Sequence, residues 1–428
     1  MERRIEVWLW ATLVVMSLGK IALADTISFT DASRLLTGPP NGATPQNAHA
    51  GAPLSWGDFD GDGKSDFLVS APGYDTTENV GLVYLVRGSA VYGNPSALET
   101  IAESVVGTLP FHQLGDALDG KGDINGDGKD DVLIGSPLKD QLFVIFGSTS
   151  GWGTLTPVTQ LAQTIASSQT VQFSRSISHV GDINGDGIDD LLVGAPQASS
   201  SGSDHRGKAY VYFGRISWTG IDDATDADIV FTGVSDNDQA GSCVAILPDI
   251  NGDGIDDLAI GSAAANGQSG RVYLFFGRPS WSGAYDLSAA NLIGSGSAGD
   301  QYGSHIVGIP DMNGDKIGDF VISAPGYGST DTGAVSVYLG STILGQSGQS
   351  LGSPAGRIVG SQSAEGFGVP AYAGDVDGNG NGDLLVGSPH YDQNVGRTYL
   401  FAAPVGDGSA SSLARTVIVA GDATQSHI

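Results

Sequence analysis

Six stretches of the chain place Asp or Asn at alternate positions and an Asp at the ninth, a spacing that could gather oxygen atoms round one point. The first, 58–66, carries Asp58, Asp60, Asp62 and Asp66. Three share one pattern: Asp123, Asn125, Asp127 and Asp131 in 123–131; Asp182, Asn184, Asp186 and Asp190 in 182–190; Asp249, Asn251, Asp253 and Asp257 in 249–257. The fifth, 311–319, has Asp311, Asn313, Asp315 and Asp319, and the sixth, 375–383, has Asp375, Asp377, Asn379 and Asp383. Oxygen-only donors suit a hard cation. Calcium takes about 6–8 oxygens at ~2.3–2.6 Å, and interspersed Gly permits the tight turn. Position 7 would lend a backbone carbonyl, leaving its side chain free to vary as Lys64, Lys129, Ile188, Ile255, Ile317 and Asn381. Up to six calcium ions are therefore expected. The competing reading is a bare acidic turn, weakened by the repulsion of carboxylates packed this closely.

An EF-hand loop begins alike but needs a bidentate Glu at position 12 and flanking helices. Here position 12 is Val69, Ile134, Val193, Ile260, Ile322 or Val386, all aliphatic. A loop between strands is the better fit. Two copies depart from the rule: Lys316 stands at the turn where the others have Gly, and Asn379 is a neutral ligand. Weaker sites are expected there, the first from backbone strain if that position needs positive φ.

The loops start 59 to 67 residues apart, a period that organises nearly the whole chain. Each runs directly into a short aliphatic stretch such as "FLVSAP", "LLVGAP" or "LLVGSP", which reads as a buried strand. A second strand follows, as in "GLVYLVRG", "GRVYLFFG" and "GAVSVYLG"; a third element precedes each loop, and a fourth reads "DIVFTG" or "NLIGSG". Four strands per unit, repeated radially, give an all-β propeller.

The units resemble FG-GAP repeats, the blades of the integrin alpha-subunit propeller and of related bacterial exported proteins. "FG" stands at Phe367 and Gly368, becomes "YG" at Tyr302 and Gly303 and "LG" at Leu114 and Gly115, and is "FS" at Phe173; "GAP" stands at 194–196. The resemblance spans roughly 35–421 and implies four-stranded blades, with six recognisable repeats. Its precedent is seven blades, the two chain ends completing one between them. Segments 34–38 and 416–421 both read as outer strands, which a closed six-fold ring would force into one position. A seven-bladed plan with an incomplete last blade is the expectation, 416–428 opening a further repeat. By the same resemblance the role is adhesion or protein recognition, with a protein or cell-surface ligand.

Composition sets the remaining bounds. Asp and Glu number 47 against 19 Lys and Arg, a formal charge of -28 that argues against nucleic acid as a partner, since binding a phosphate backbone needs basic side chains. Residues 1–24 combine a basic start, the apolar stretch 7–19 and a small-residue "ALA" ending, the pattern of an export signal; the propeller would occupy 25–428, with no later membrane span. Cys243 has no partner for an internal disulfide and reads as packing. No catalytic constellation is found: the His residues are scattered, with His179 and His305 taken to hold equivalent strand positions. A non-enzymatic scaffold is expected. In the tripeptide Lys121-Gly122-Asp123 the Asp is already a loop ligand. Trp152, Trp218 and Trp281 recur at one place in three repeats and could stack on a glycan, the alternative partner, although packing between blades is the favoured reading. Surface loops 71–81 and 195–207 are further candidates for ligand contact.

Overall fold

The computed structural model describes residues 53–403, except 75–77, 89–95, 98–101, 170, 180, 200, 201, 203, 345, 347 and 395, together with the strands Leu36–Thr37 and Ala414–Ala420. The export signal expected at 1–24 and the residues after Ala420 lie outside that set.

Six four-stranded antiparallel sheets follow one another along the chain. The first contains Leu54–Gly57, Asp66–Ala71, Leu82–Val86 and Glu103–Val106; the second Ala117–Asp119, Val132–Ser136, Gln141–Ile145 and Gln163–Ala166. The third contains Ser176–Ser178, Leu191–Ala195, Lys208–Tyr212 and Ile229–Thr232; the fourth Cys243–Leu247, Asp257–Ser262, Arg271–Phe275 and Leu292–Ser295. The fifth contains Ile306–Ile309, Asp319–Ala324, Ala334–Tyr338 and Gly356–Val359; the sixth Val369–Gly374, Asp383–Ser388, Arg397–Ala402 and Ala414–Ala420. First strands of successive sheets run side by side, so the sheets are the blades of an all-β propeller. Ala414–Ala420 is the outer strand of the sixth blade, so a further repeat could open only after it.

The aliphatic runs of the second to fifth blades are buried on both faces because each of these blades is sandwiched between two others. Leu191–Ala195, for example, is buried throughout. The core is accordingly divided into layers between blades. Phe59, Leu68 and Leu85 of the first blade pack with Val132, Phe143 and Trp152 of the second. Phe231 of the third meets Phe275 of the fourth with ring centroids 4.6 Å apart. Similar layers join the second to the third, the fourth to the fifth and the fifth to the sixth.

At the rim, the segment between a blade's third and fourth strands adds a parallel pairing to the outer strand of the blade before. Thr156–Pro157 joins Glu103–Val106 in this way, and Ala284–Asp286 joins Ile229–Thr232. Leu36–Thr37 pairs in parallel with Ser96–Ala97, which lies in the corresponding segment of the first blade.

Blade spacing also depends on glycine at the entry to the third strand. Gly207 has φ +81°, and a Cβ there would lie 2.1 Å from the Ala240 carbonyl oxygen of the next blade. Both the backbone conformation and the contact exclude a side chain. Gly207→Ala should therefore destabilise the protein by at least about 2 kcal/mol, measured by chemical denaturation; a change within about 0.5 kcal/mol would contradict this account of blade spacing.

Candidate metal centres

Every acidic loop folds on the same internal hydrogen bonds. In the second, Asp123 Oδ1 accepts from the Asp127 N–H at 3.0 Å and Oδ2 from the Gly128 N–H at 2.7 Å. Asn125 Oδ1 accepts from the Asp127 N–H at 2.8 Å, and Asp127 Oδ1 from the Lys129 N–H at 3.0 Å. The same bonds recur in the first loop on Asp58, Asp60 and Asp62, and in the third on Asp182, Asn184 and Asp186. The fourth uses Asp249, Asn251 and Asp253, the fifth Asp311, Asn313 and Asp315, and the sixth Asp375, Asp377 and Asn379. These side chains turn inward because their own backbone holds them. Carboxylate oxygens of Asp58, Asp60 and Asp62 lie within 4.8 Å of one another, as do those of Asp375, Asp377 and Asp383. Positions 1, 3 and 5 of the first loop and positions 1, 3 and 9 of the sixth thus each share one focus, whereas among the described residues the three carboxylates of each of the other four loops do not gather within that distance; Lys64, Lys129, Ile188, Ile255, Ile317 and Asn381 complete the turns.

The ninth residue is different in kind. Asp66, Asp131, Asp190, Asp257, Asp319 and Asp383 are all at most 1% exposed. Each carboxylate binds the backbone at two places, as Asp131 does with the Ile124 N–H at 2.9 Å and the Gly147 N–H at 2.8 Å. Gly147 follows the third strand, so this one side chain joins the loop, the second strand and the third strand. Burial pushes Asp131 and Asp319 up to about 7 and Asp190 and Asp257 up to about 8. The N–H donors pull these values down, while neighbouring loop carboxylates raise them further. Burial likewise raises Asp66 and Asp383. A cation at the focus would relieve this repulsion, and all-oxygen donors held at fixed directions fit calcium.

The first loop has a fourth carboxylate and a cation of its own. Arg87 Nη1 lies 3.1 Å from Asp60 Oδ2 and 3.4 Å from Asp66 Oδ2, while Nε binds Glu103 Oε1 at 3.2 Å. Its counterparts in the other blades are Phe146, Phe213, Phe276, Leu339 and Ala402. One guanidinium thus offsets the extra carboxylate, leaving a cage charge equal to that of loops with three. In the fifth loop Lys316 sits at φ +68°, the left-handed conformation held by Gly elsewhere, and carries the strain expected of it. In the sixth, the Asn379 amide donates to the Ala403 carbonyl and to Asp377 Oδ2.

Five stretches match the FG-GAP repeat: residues 50–86, 120–150, 174–212, 240–275 and 302–338. The chain is built of FG-GAP repeats. It is similar to integrin alpha-5 of Xenopus laevis, 28% identical over 52% of this chain and 20% of that protein. Similarity extends to the phosphatidylinositol-glycan-specific phospholipase D of Bos taurus, 29% identical over 51% of this chain and 27% of that one. Integrin alpha-PS3 of Drosophila melanogaster is 32% identical over 33% of this chain and 13% of its own length. The chain therefore aligns with under a third of each of these relatives. It is an integrin-alpha-like FG-GAP propeller.

Within this FG-GAP array, position 8 of the loops does work that the alternating ligand pattern conceals. Asp130 Oδ2 accepts the N–H of Asp58 in the preceding loop at 2.7 Å, while the Asp130 N–H donates to the Asp58 carbonyl at 3.2 Å. Asp189 does the same to Asp123 at 2.9 and 3.3 Å, and Asp256 to Asp182 at 3.0 and 3.1 Å. The fifth and sixth loops have Gly318 and Gly382 here, which keep only the backbone bonds to Asp249 and Asp311. Successive loops are thus tied at their first residue, by a carboxylate as well as the backbone between the first four and by the backbone alone thereafter. The signal was legible as "DD" in the second, third and fourth loops against "SD" or "GD" in the others.

The tryptophans serve the same junctions. Trp218 Nε1 donates to the Ile124 carbonyl and Trp281 Nε1 to the Ile183 carbonyl, both at 3.0 Å and both inside the preceding blade's loop. Trp152 and Trp218 are buried and Trp281 is partly so, which is packing and offers no open ring face for a sugar. The two histidines are not equivalent: His179 follows Ser176–Ser178, whereas His305 precedes Ile306–Ile309. Buried His179 reaches Asp119 Oδ2 at 3.0 Å through Nδ1 and the Asp131 carbonyl at 3.1 Å through Nε2. Lys121 lies over the Trp56 ring, 4.5 Å from its centroid, and Asp123 is engaged in its loop.

Asp189→Ala removes one charged acceptor from the junction of the second and third loops. The Asp123 amide should then exchange with solvent at least about tenfold faster, with amides of the sixth blade unchanged; an unchanged Asp123 rate would remove position 8 from the account.

Proposed function

We propose that this propeller is a calcium-stiffened recognition scaffold with an adhesive or protein-binding role. The observation that carries the calcium reading is the ninth-position Asp, buried in every blade beside other carboxylates of its loop. Bound calcium would supply compensating charge. The chain's part is to orient side chains at positions 1, 3, 5 and 9, and the carbonyl at position 7, through the hydrogen bonds described above. Strain at Lys316 and the amide of Asn379 make the fifth and sixth sites weaker, and Arg87 lowers the demand for a cation in the first. Export, which residues 1–24 suggest, would suit such loops, since extracellular calcium modules bind at about 10⁻⁴–10⁻³ M.

The recognition role rests on similarity to integrin alpha chains and on the rigid frame that carries variable loops, including 71–81 and 195–207. A phospholipase is also among the relatives, and hydrolysis of phosphatidylinositol-glycan by the purified chain would overturn the non-enzymatic reading. A seven-bladed plan has its own support. The rim pairing of Leu36–Thr37 is the one that outer strands make with the following blade, while Ala414–Ala420 already serves as the outer strand of the sixth blade. Two outer strands need two blade positions.

Asp186→Ala should bind one calcium ion fewer than the unaltered chain in equilibrium dialysis. Hydrogen exchange should rise in the third blade and its neighbours and stay unchanged in the sixth, because repeat arrays couple mainly to neighbours. Undiminished stoichiometry, or equal loss of protection in every blade, would count against this reading.

A further inference from the structure

The third strand of each blade carries a ring at one position of its register, with a single exception. Tyr84, Phe143, Tyr210, Tyr273 and Tyr399 pair with Val69, Ile134, Val193, Ile260 and Val386 of the neighbouring strand. In the fifth blade the partner of Ile322 is Ser336. All five rings are buried. Replacing a buried ring by a hydroxymethyl group leaves space unless neighbours collapse into it. They do not: a cavity of about 360 Å³ opens here between the fourth and fifth blades, lined by Ser336, Tyr302, Tyr338, Tyr327, Leu351 and Arg357. A departure from the repeat rule thus coincides with a cleft of ligand size between the fourth and fifth blades.

The chemistry of the walls is donor-rich. The Tyr302 and Tyr338 hydroxyls bond to each other at 2.7 Å. That contact uses one of their two protons, so one O–H remains to offer. Arg357 Nε binds Ser336 Oγ at 3.2 Å, and its guanidinium lies 4.7 Å from the Tyr327 ring centroid. Among the described residues Arg357 has no carboxylate ion pair, which it shares with Arg271, Arg278 and Arg397, whereas Arg87, Arg175, Arg206 and Arg215 each have one; what sets Arg357 apart is its place at the cleft. In a chain of formal charge -28 an arginine left with its Nη donors open at a cleft is an anion receptor. Asp300 also borders the cleft, but its Oδ2 accepts the Ser297 N–H at 2.8 Å, the turn-capping bond that Asp238 and Glu365 make in the adjacent blades. The rest of the rim is mostly glycine and serine, including Ser295, Ser350 and Ser353, with Ala324 and Pro354 beside them. Hydroxyl groups in that number suit a ligand with several hydroxyls of its own, and there is little apolar wall for an aliphatic acid.

We propose that this cleft binds a carboxylate-bearing sugar unit, its carboxylate on Arg357 and the Tyr302–Tyr338 pair and its ring hydroxyls on the serine rim. The site is independent of the acidic loops and of the calcium reading.

The test is calorimetric titration of the full chain with D-glucuronate, D-glucose, acetate and inorganic phosphate in parallel. Glucuronate should bind saturably and at least about tenfold more tightly than each of the others. Arg357→Ala, at an exposed position, should abolish saturable binding with an unchanged melting temperature. Ser336→Tyr restores the repeat's ring and should abolish binding by filling the cleft. No saturable binding of glucuronate, or glucose binding as well as it, would overturn the proposal. Equal binding of acetate or phosphate would reduce the site to a general anion receptor and overturn the sugar. Retained affinity in both variants would place any binding elsewhere.

Discussion

A carboxylate without water is the constraint on which this propeller depends. The ninth-position Asp lies buried at the start of a buried strand, yet it belongs to a loop whose other side chains are also acidic. Charge taken out of water must find partners or be neutralised. The chain supplies two N–H donors to each of these carboxylates and, in the first loop, a guanidinium. Those partners fix direction well, but most loops still hold three carboxylates within one turn. An oxygen-seeking cation would complete the balance.

The same Asp makes the metal question a question of fold. By bonding to the loop and to the end of the third strand, it draws three parts of one blade together. Position 8 and the tryptophans then carry that order across to the preceding loop. Between the first four blades the link has a carboxylate; from the fourth to the sixth it has only backbone hydrogen bonds. Bonding between loops is therefore graded along the chain, and the fifth and sixth loops, with Lys316 and Asn379, stand at its sparser end.

Much of this was legible in the sequence. A period near sixty residues, an acidic loop and an aliphatic run at every turn were sufficient to give the blades and their strand order, and to mark the loop positions whose side chains bond back to their own backbone. Packing of Trp152, Trp218 and Trp281 was also readable, because bulky residues at equivalent points of an array face the next repeat. What escaped are features that acquire meaning only from a neighbouring blade. Asp130, Asp189 and Asp256 look like surplus charge until the preceding loop lies beside them. Arg87 looks like a strand-end substitution, and Ser336 like a tolerated variation in a column of rings, until the space each fills or leaves is seen. The equivalence assumed for His179 and His305 failed because the two lie at opposite ends of their strands.

The account turns on whether the acidic loops are cation cages, and the most direct measurement is the melting temperature of the full chain in calcium and in chelator, paired with bound-calcium stoichiometry. About six ions, the fifth and sixth loops filling last, and a melting temperature that rises with calcium concentration are expected, since a ligand that binds only the folded state stabilises it by mass action. No bound calcium and superimposable melting curves would contradict the account and leave the loops as turns held by hydrogen bonds alone.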